Sequence, residues 1–420
     1  MPVVTKEVLR EHLDWWEGRN TKALMCINYQ KPDAKSAEEA GLITPWMEGN
    51  TSWVFARAVL QAYKRNLLGS QLLKEVPCAN ARKDLAKSEE RLLCTLESTS
   101  LHYQPRSIVD KADSTMDLTP IADALEVVSH QYASLDYAGA GYPTFQLNTG
   151  AGCVAAHITE FSRFSGDSVW FELDKPWDYE RILDLPADIT TPYADITLEA
   201  VRMAAKRLGG EVLLAMLDLG GLGDILSSLR RTDGILYDMV DQPDNVKAAL
   251  EVIINIWKTN HNKVSALISP ANDNLCTSWV GILSDTTYYP SQCDACAMIS
   301  PDMFDEFFLP TLSREFAFFE RTAYHLDGSG QIPHLDMLCT QPTLRAIQWV
   351  PEPNVGHGDE RYHALYKSII SHGRKIIINQ YRGDLDCVKR LFKKFPASSF
   401  AITMHCSGYD DAQRWADLGR

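Results

Sequence analysis

His325 and Asp327 stand two residues apart in the string Thr322-Ala323-Tyr324-His325-Leu326-Asp327-Gly328, and Cys406 ends another apolar run near the C-terminus. In a strand, residues two apart face the same side, so the imidazole and the carboxylate converge on one point. If their strands lie across a barrel mouth from each other, Cys406 supplies a third group from the far wall. One imidazole, one carboxylate and one thiolate with an open fourth position make a catalytic zinc site. Such a zinc serves as a Lewis acid or deprotonates a bound thiol or water. The same residues also read as a neutral His325–Asp327 hydrogen-bonding pair with a buried thiol elsewhere. The spacing alone leaves both readings open.

Positioning these groups requires strands that end together. Eight short apolar runs recur along the chain, at residues 23–29, 142–148, 211–221, 277–284, 322–328, 346–353, 375–381 and 399–406. Near-continuous apolar runs are what buried parallel strands look like. Amphipathic stretches at 245–264, 301–321, 362–372 and 385–394 lie between them. Alternating strand and helix predicts βαβ units, and eight runs predict an α/β fold of the (β/α)8 TIM-barrel type. The first 135 residues, including helical stretches at 51–74 and 81–96, read as a mainly helical N-terminal part packed on the barrel within a single domain of residues 1–420.

A barrel of this kind gathers its reactive groups where the strands end at their C-terminal edge. That rule nominates Asp218, Gln292, Asp294, Tyr324, Gln348, Trp349, Glu352, Asn379 and Tyr381 as substrate-facing residues, with His325, Asp327 and Asp294 as the acid/base set. Aromatic residues at strand ends, Tyr288 and Tyr289 among them, read equally as a pocket lining or as core. Cys293-Asp294-Ala295-Cys296 is the only C-x-x-C string. Without a second pair it reads as a pocket-shaping loop rather than a zinc ribbon. Asp218-Leu219-Gly220-Gly221-Leu222-Gly223-Asp224 lacks the Lys-Ser/Thr of a phosphate loop, and its two aspartates repel phosphate. It reads as a rim turn whose glycines permit positive φ.

Composition excludes several classes. With 41 Lys and Arg against 55 Asp and Glu, the formal net charge is −14, unsuited to a nucleic-acid surface. No apolar run approaches the ~20 residues of a membrane span, and the N-terminal residues show no secretory pattern. Ten scattered cysteines in 420 residues fit a reducing cytoplasm. The expected partner is a small molecule, and the apolar exterior of a barrel is compatible with a homodimer.

From Trp170 onward, roughly the last 250 residues, the chain resembles the uroporphyrinogen decarboxylase superfamily, in a decarboxylase-like branch near the corrinoid-dependent methyltransferases. The strings that carry the resemblance are Asp218-Leu219-Gly220-Gly221 with Asp224-Ile225-Leu226, and Leu236-Tyr237-Asp238 with Gln242-Pro243. To these add Gln292-Cys293-Asp294 with Met298-Ile299-Ser300-Pro301, Tyr324-His325-Leu326-Asp327-Gly328, and Ile347-Gln348-Trp349-Val350-Pro351. The decarboxylases of this superfamily hold a polycarboxylate tetrapyrrole with N-terminal arginines. The matching region here, Asn28-Tyr29-Gln30-Lys31-Pro32, has none, which argues against that substrate.

The related methyltransferases bind zinc through a His-x-Cys pair and a later Cys. His325 matches the histidine, Asp327 stands in place of the first cysteine, and Cys406 matches the last. The resemblance therefore implies a zinc-dependent, demethylase-type methyltransferase using His325, Asp327 and Cys406, with an external corrinoid protein as methyl donor or acceptor. The carboxylate makes any metal there harder and more electrophilic. Two other readings stand beside it: a metal-free lyase of decarboxylase type, with Asp327, Asp294 or Glu352 as acid/base group and His325 as partner, and a non-catalytic small-molecule binding protein.

Overall fold

The computed structural model describes residues 3–36, 39–42, 51–69, 116–159, 163–165, 168–171, 173 and 175–419. The charged stretch at 81–96, expected to be helical, lies outside them. Eleven strands are described: β1 (Leu24–Gln30), β2 (Leu135–Gly139), β3 (Thr144–Gln146), β4 (Arg163–Ser165), β5 (Ser168–Trp170), β6 (Leu213–Ala215), β7 (Pro290–Gln292), β8 (Thr322–Asp327), β9 (Leu344–Val350), β10 (Lys375–Ile378) and β11 (Phe400–Cys406). Seven form one sheet in the order β2-β1-β11-β10-β9-β8-β7. All are parallel except β2, which runs antiparallel to β1.

β3 and β6 form a separate parallel pair. Backbone contacts tie one margin of this pair to the large sheet and the other to the loop that precedes β7. On one side Ala140 donates to the Met25 carbonyl at 2.8 Å, and a Cβ on Gly141 would lie 2.1 Å from the Ile27 carbonyl oxygen. On the other, Met216 donates to the Thr277 carbonyl at 3.2 Å. Neither contact extends into a ladder among the described residues, so the structure is an α/β fold with a mostly parallel, open seven-stranded sheet. Among the described residues the sheet is not closed into the eight-stranded ring expected from the run count.

Seven of the eight apolar runs contain a strand; the run at 277–284 does not. It is a tight loop pinched by a Cys276–Ser284 bridge, turning at Gly281 with φ +72°. Val280 and Ile282 press into the face of the sheet formed by Leu24, Cys26, Ala323, Ala346, Ile377 and Ala401. Three alanines in that layer leave the volume the loop fills. Its apolarity comes from being a plug, and a buried loop and a buried strand share that signature. The strand at this point of the chain follows as β7, three residues opening on Pro290.

The two faces of the sheet are built differently. The inner face carries the plug and the helix Lys6–Trp16, whose Trp15 and Trp16 are buried in the same cluster. The outer face, with Tyr324, Leu326, Ile347, Trp349, Ile378, Phe400, Ile402 and Cys406, packs against helices that include His363–Ser371, Leu385–Lys394 and Tyr409–Ala416. The helix expected at 301–321 is two helices, Pro301–Phe307 and Leu309–Phe316. Pro310 removes a backbone donor and breaks a continuous helix there. The first is capped by Ser300, whose hydroxyl accepts from the Met303 amide at 3.3 Å, as the Ser-Pro start signals. No described helix is long and apolar enough to cross a membrane.

Trp16 joins the N-terminal helix to the plug: its indole donates to the Leu283 carbonyl at 2.9 Å and its ring meets Tyr288 edge-on at 5.2 Å. Trp16→Ala is expected to cost about 3–5 kcal/mol in urea denaturation. A loss below about 1 kcal/mol would mean that the helix only rests on the surface.

Glu315, fully buried in the helix Leu309–Phe316, has its carboxyl pushed up to about 8 by burial. Because the folded value exceeds the ordinary 4.5, the stability linked to this proton is complete below that pH and is lost as the pH rises through about 8. Glu315→Gln is expected to remove about 2–4 kcal/mol of that decline, read as denaturation midpoints between pH 5 and 8. Parallel curves for the two proteins would contradict it.

Candidate metal centre

β8 alternates strictly. Ala323 joins the inner cluster and Tyr324 and Leu326 the outer one, so His325 and Asp327 share the inner side at the C-terminal end of the strand. The His325 Nε2 lies 4.0 Å from Asp327 Oδ2. Asp294 joins them from the neighbouring strand end, two residues beyond β7. One ligand atom from each of Asp294, His325 and Asp327 lies within 4.8 Å of the other two.

The imidazole is held from two sides. In the β8–β9 register His325 pairs with Gln348, and His325 Nδ1–H donates to Gln348 Oε1. Since an amide oxygen only accepts, the proton belongs on Nδ1 and the lone pair on Nε2, toward the carboxylates. Metal-binding histidines are usually oriented by such a partner on the other nitrogen. The Trp279 ring of the plug stands edge-on to the imidazole at 5.0 Å. Asn379 fixes that plug residue, donating to the Trp279 carbonyl at 2.9 Å and accepting from Thr403 Oγ1 at 2.6 Å.

Asp294 opens to solvent on one side but is crowded by protein on the others. Burial pushes its carboxyl up; the nearby His325 opposes this and Asp327 adds to it. Its Oδ1 accepts from Gln331 Nε2 at 3.2 Å, and Gln331, fully buried, accepts from Tyr324 at 3.0 Å. Asp218, just beyond β6, is half-buried. Its Oδ1 accepts from Gln292 Nε2 at 3.1 Å and from the amides of Gly220 and Gly152 at 3.1 and 3.4 Å, with the Tyr289 hydroxyl at 3.5 Å. Burial pushes this carboxyl up as well, against the influence of the nearby His325. Gly220 has φ +88°, and a Cβ there would lie 2.5 Å from the Gly152 Cα, so the rim turn needs glycine as its composition indicates.

Several expected assignments change. Cys406 does not join the cluster. Its neighbour His405 takes the inner side, where His405 Nδ1 pairs with Asn28 Oδ1 at 2.6 Å, and Cys406 consequently faces outward into the helix layer, 2% exposed. Burial, reinforced by Asp411, pushes its thiol up to about 12, so it is a neutral core thiol. Asp294 occupies the third position instead. Tyr324 and Trp349 are fully buried on the outer face; Tyr324 reaches the site only through Gln331, and Trp349 packs on Tyr362. Tyr381 packs on Trp415, its hydroxyl donating to the Asp384 carbonyl at 3.1 Å.

Glu352 is spent on loop structure, accepting from the Ser329 amide at 3.0 Å and from the Tyr362 hydroxyl. Those hydrogen bonds hold its carboxyl down at about 2, the wrong direction for a general acid. Gln331, Trp279 and Asp224 carry the site without having been nominated. Nothing in their spacing marked them, because each reaches it from a loop or from another layer.

The donor set suits a divalent cation of intermediate to hard character. Three ligands about 2.1 Å from one ion would stand about 3.0–3.4 Å apart, against the 4.0 Å between His325 Nε2 and Asp327 Oδ2. Gln348→Leu is expected to release the imidazole tautomer: 15N NMR of the metal-free protein should show a single Nδ1–H form for His325 in the parent and a mixture in the variant. Identical spectra would show that Gln348 does not set it. In comparisons with known proteins, no family model matches the chain and no curated protein matches it.

Proposed function

We propose that this protein is a metal-dependent enzyme of lyase type acting on a small substrate, with a divalent cation, zinc among the candidates, held by Asp294, His325 and Asp327. The observation that carries the reading is the convergence of those three side chains, with His325 Nδ1 held against Gln348 Oε1. It also draws on the resemblance to the uroporphyrinogen decarboxylase superfamily, and on reading β3 and β6 as the remaining wall of a (β/α)8 barrel. In such a barrel the cluster lies where substrates bind.

When bound, the cation would supply Lewis-acid polarisation of a substrate oxygen. The chain itself does the rest. Gln348 and Trp279 hold the imidazole in place, and Gln331 orients the Asp294 carboxylate. The donors around Asp218 converge on Oδ1, leaving Oδ2 to exchange a proton with the substrate, a role suited to a carboxyl raised by burial. Methyl transfer to a thiol, with an external corrinoid protein, is the second reading that the resemblance supplies. The outward turn of Cys406 removes its sulfur ligand, and the remaining nitrogen and oxygen donors favour oxygen chemistry. Free thiols at all eight described cysteines fit a cytoplasmic enzyme.

Metal analysis of the purified protein and titration with Zn2+ or Mn2+ are expected to give one bound equivalent. His325→Ala should weaken binding at least about 100-fold while the fold stays intact by circular dichroism. Absence of binding by the parent, or unchanged affinity in the variant, would refute the metal reading.

A further inference from the structure

We propose that Asp224 is a positioning residue for this centre, placing Asp294 through its backbone; the proposal rests on the metal reading above. Asp294 belongs neither to a strand nor to an α-helix. It begins a five-residue 3-10 turn, Asp294–Met298, and the residue before the turn, Cys293, makes no side-chain capping bond. The first amides of such a turn need acceptors, and Asp224 supplies them from 70 residues away. One carboxylate oxygen accepts from the Asp294 amide at 3.1 Å and the other from the Ala295 amide at 2.9 Å.

The clamp is built on a close approach. Asp224 lies in the first turn of the helix Leu222–Arg230, after Gly221. A Cβ on Gly221 would stand 2.2 Å from the Gln292 carbonyl oxygen and 2.4 Å from Asp224 Oδ2. Only glycine lets the helix start press against the end of β7. Two amides require two acceptor oxygens, which aspartate has and asparagine lacks. Asp224 therefore fixes where the Asp294 backbone stands, and Gln331 sets the direction of its carboxylate. The C-x-x-C string encloses Asp294, and on this account the turn it forms is part of the centre's support.

The test is Mn2+ titration of the full chain by electron paramagnetic resonance, comparing the parent with Asp224→Asn and Asp224→Glu. Asp224→Asn is expected to bind at least about tenfold more weakly, as loss of a supporting partner does, with a changed line shape. Amide exchange at Asp294 and Ala295 should accelerate about tenfold or more. Asp224→Glu, which keeps two acceptor oxygens, should recover part of both and serves as the comparison if the asparagine variant does not fold. Parent-like affinity, line shape and exchange in a folded variant would overturn the proposal while leaving the metal reading intact. A parent that binds no Mn2+ would overturn both.

Discussion

A β-strand offers two faces and a side chain must take one of them. β8 places Ala323, His325 and Asp327 on the inner side and Tyr324 and Leu326 on the outer. The inner residues become more polar toward the C-terminal end, so the strand begins as core and ends as chemistry. β9 supplies Gln348 in register with His325, and β11 brings His405 to the inner side. The polar character of the site is thus an extension of the alternation that builds the core below it, and a one-residue slip would exchange the two sets.

That rule explains both what the sequence made visible and what it hid. The pairing of His325 with Asp327 follows from their spacing within one strand. Cys406 required a further fact, the phase of β11, which depends on its pairing with β1 and β10 and cannot be read from an apolar run that is hydrophobic on both faces. His405 and Cys406 are adjacent, so an uncertainty of one residue decides which of them faces the site. The same limit applies to Tyr324 and Trp349, whose outward packing uses their size in the helix layer.

Other differences arise where tertiary packing replaces regular structure. The 277–284 run has the apolar content of a strand, but the alanine layer at Ala323, Ala346 and Ala401 admits a loop, and Trp279 reaches His325 as a result. β7 is three residues long and begins with proline, too short to register as a pattern, though the location of Gln292 and Asp294 at a strand end survives. Asp224 and Gln331 act over large sequence separations, and only a fold brings them to Asp294.

The carboxyls of Asp218 and Asp294 are raised mainly by burial, and the nearby His325 is the main opposing influence on each. A bound cation among them would relieve that cost, which connects the electrostatics of the cluster to its proposed occupant. The most direct measurement is an anomalous difference map from crystals of the intact protein soaked in Mn2+. The account predicts one strong peak at coordination distance from Asp294, His325 and Asp327, with Gln348 still bonded to the imidazole. A map with no peak there, or with the ion bound at another group of side chains, would contradict it.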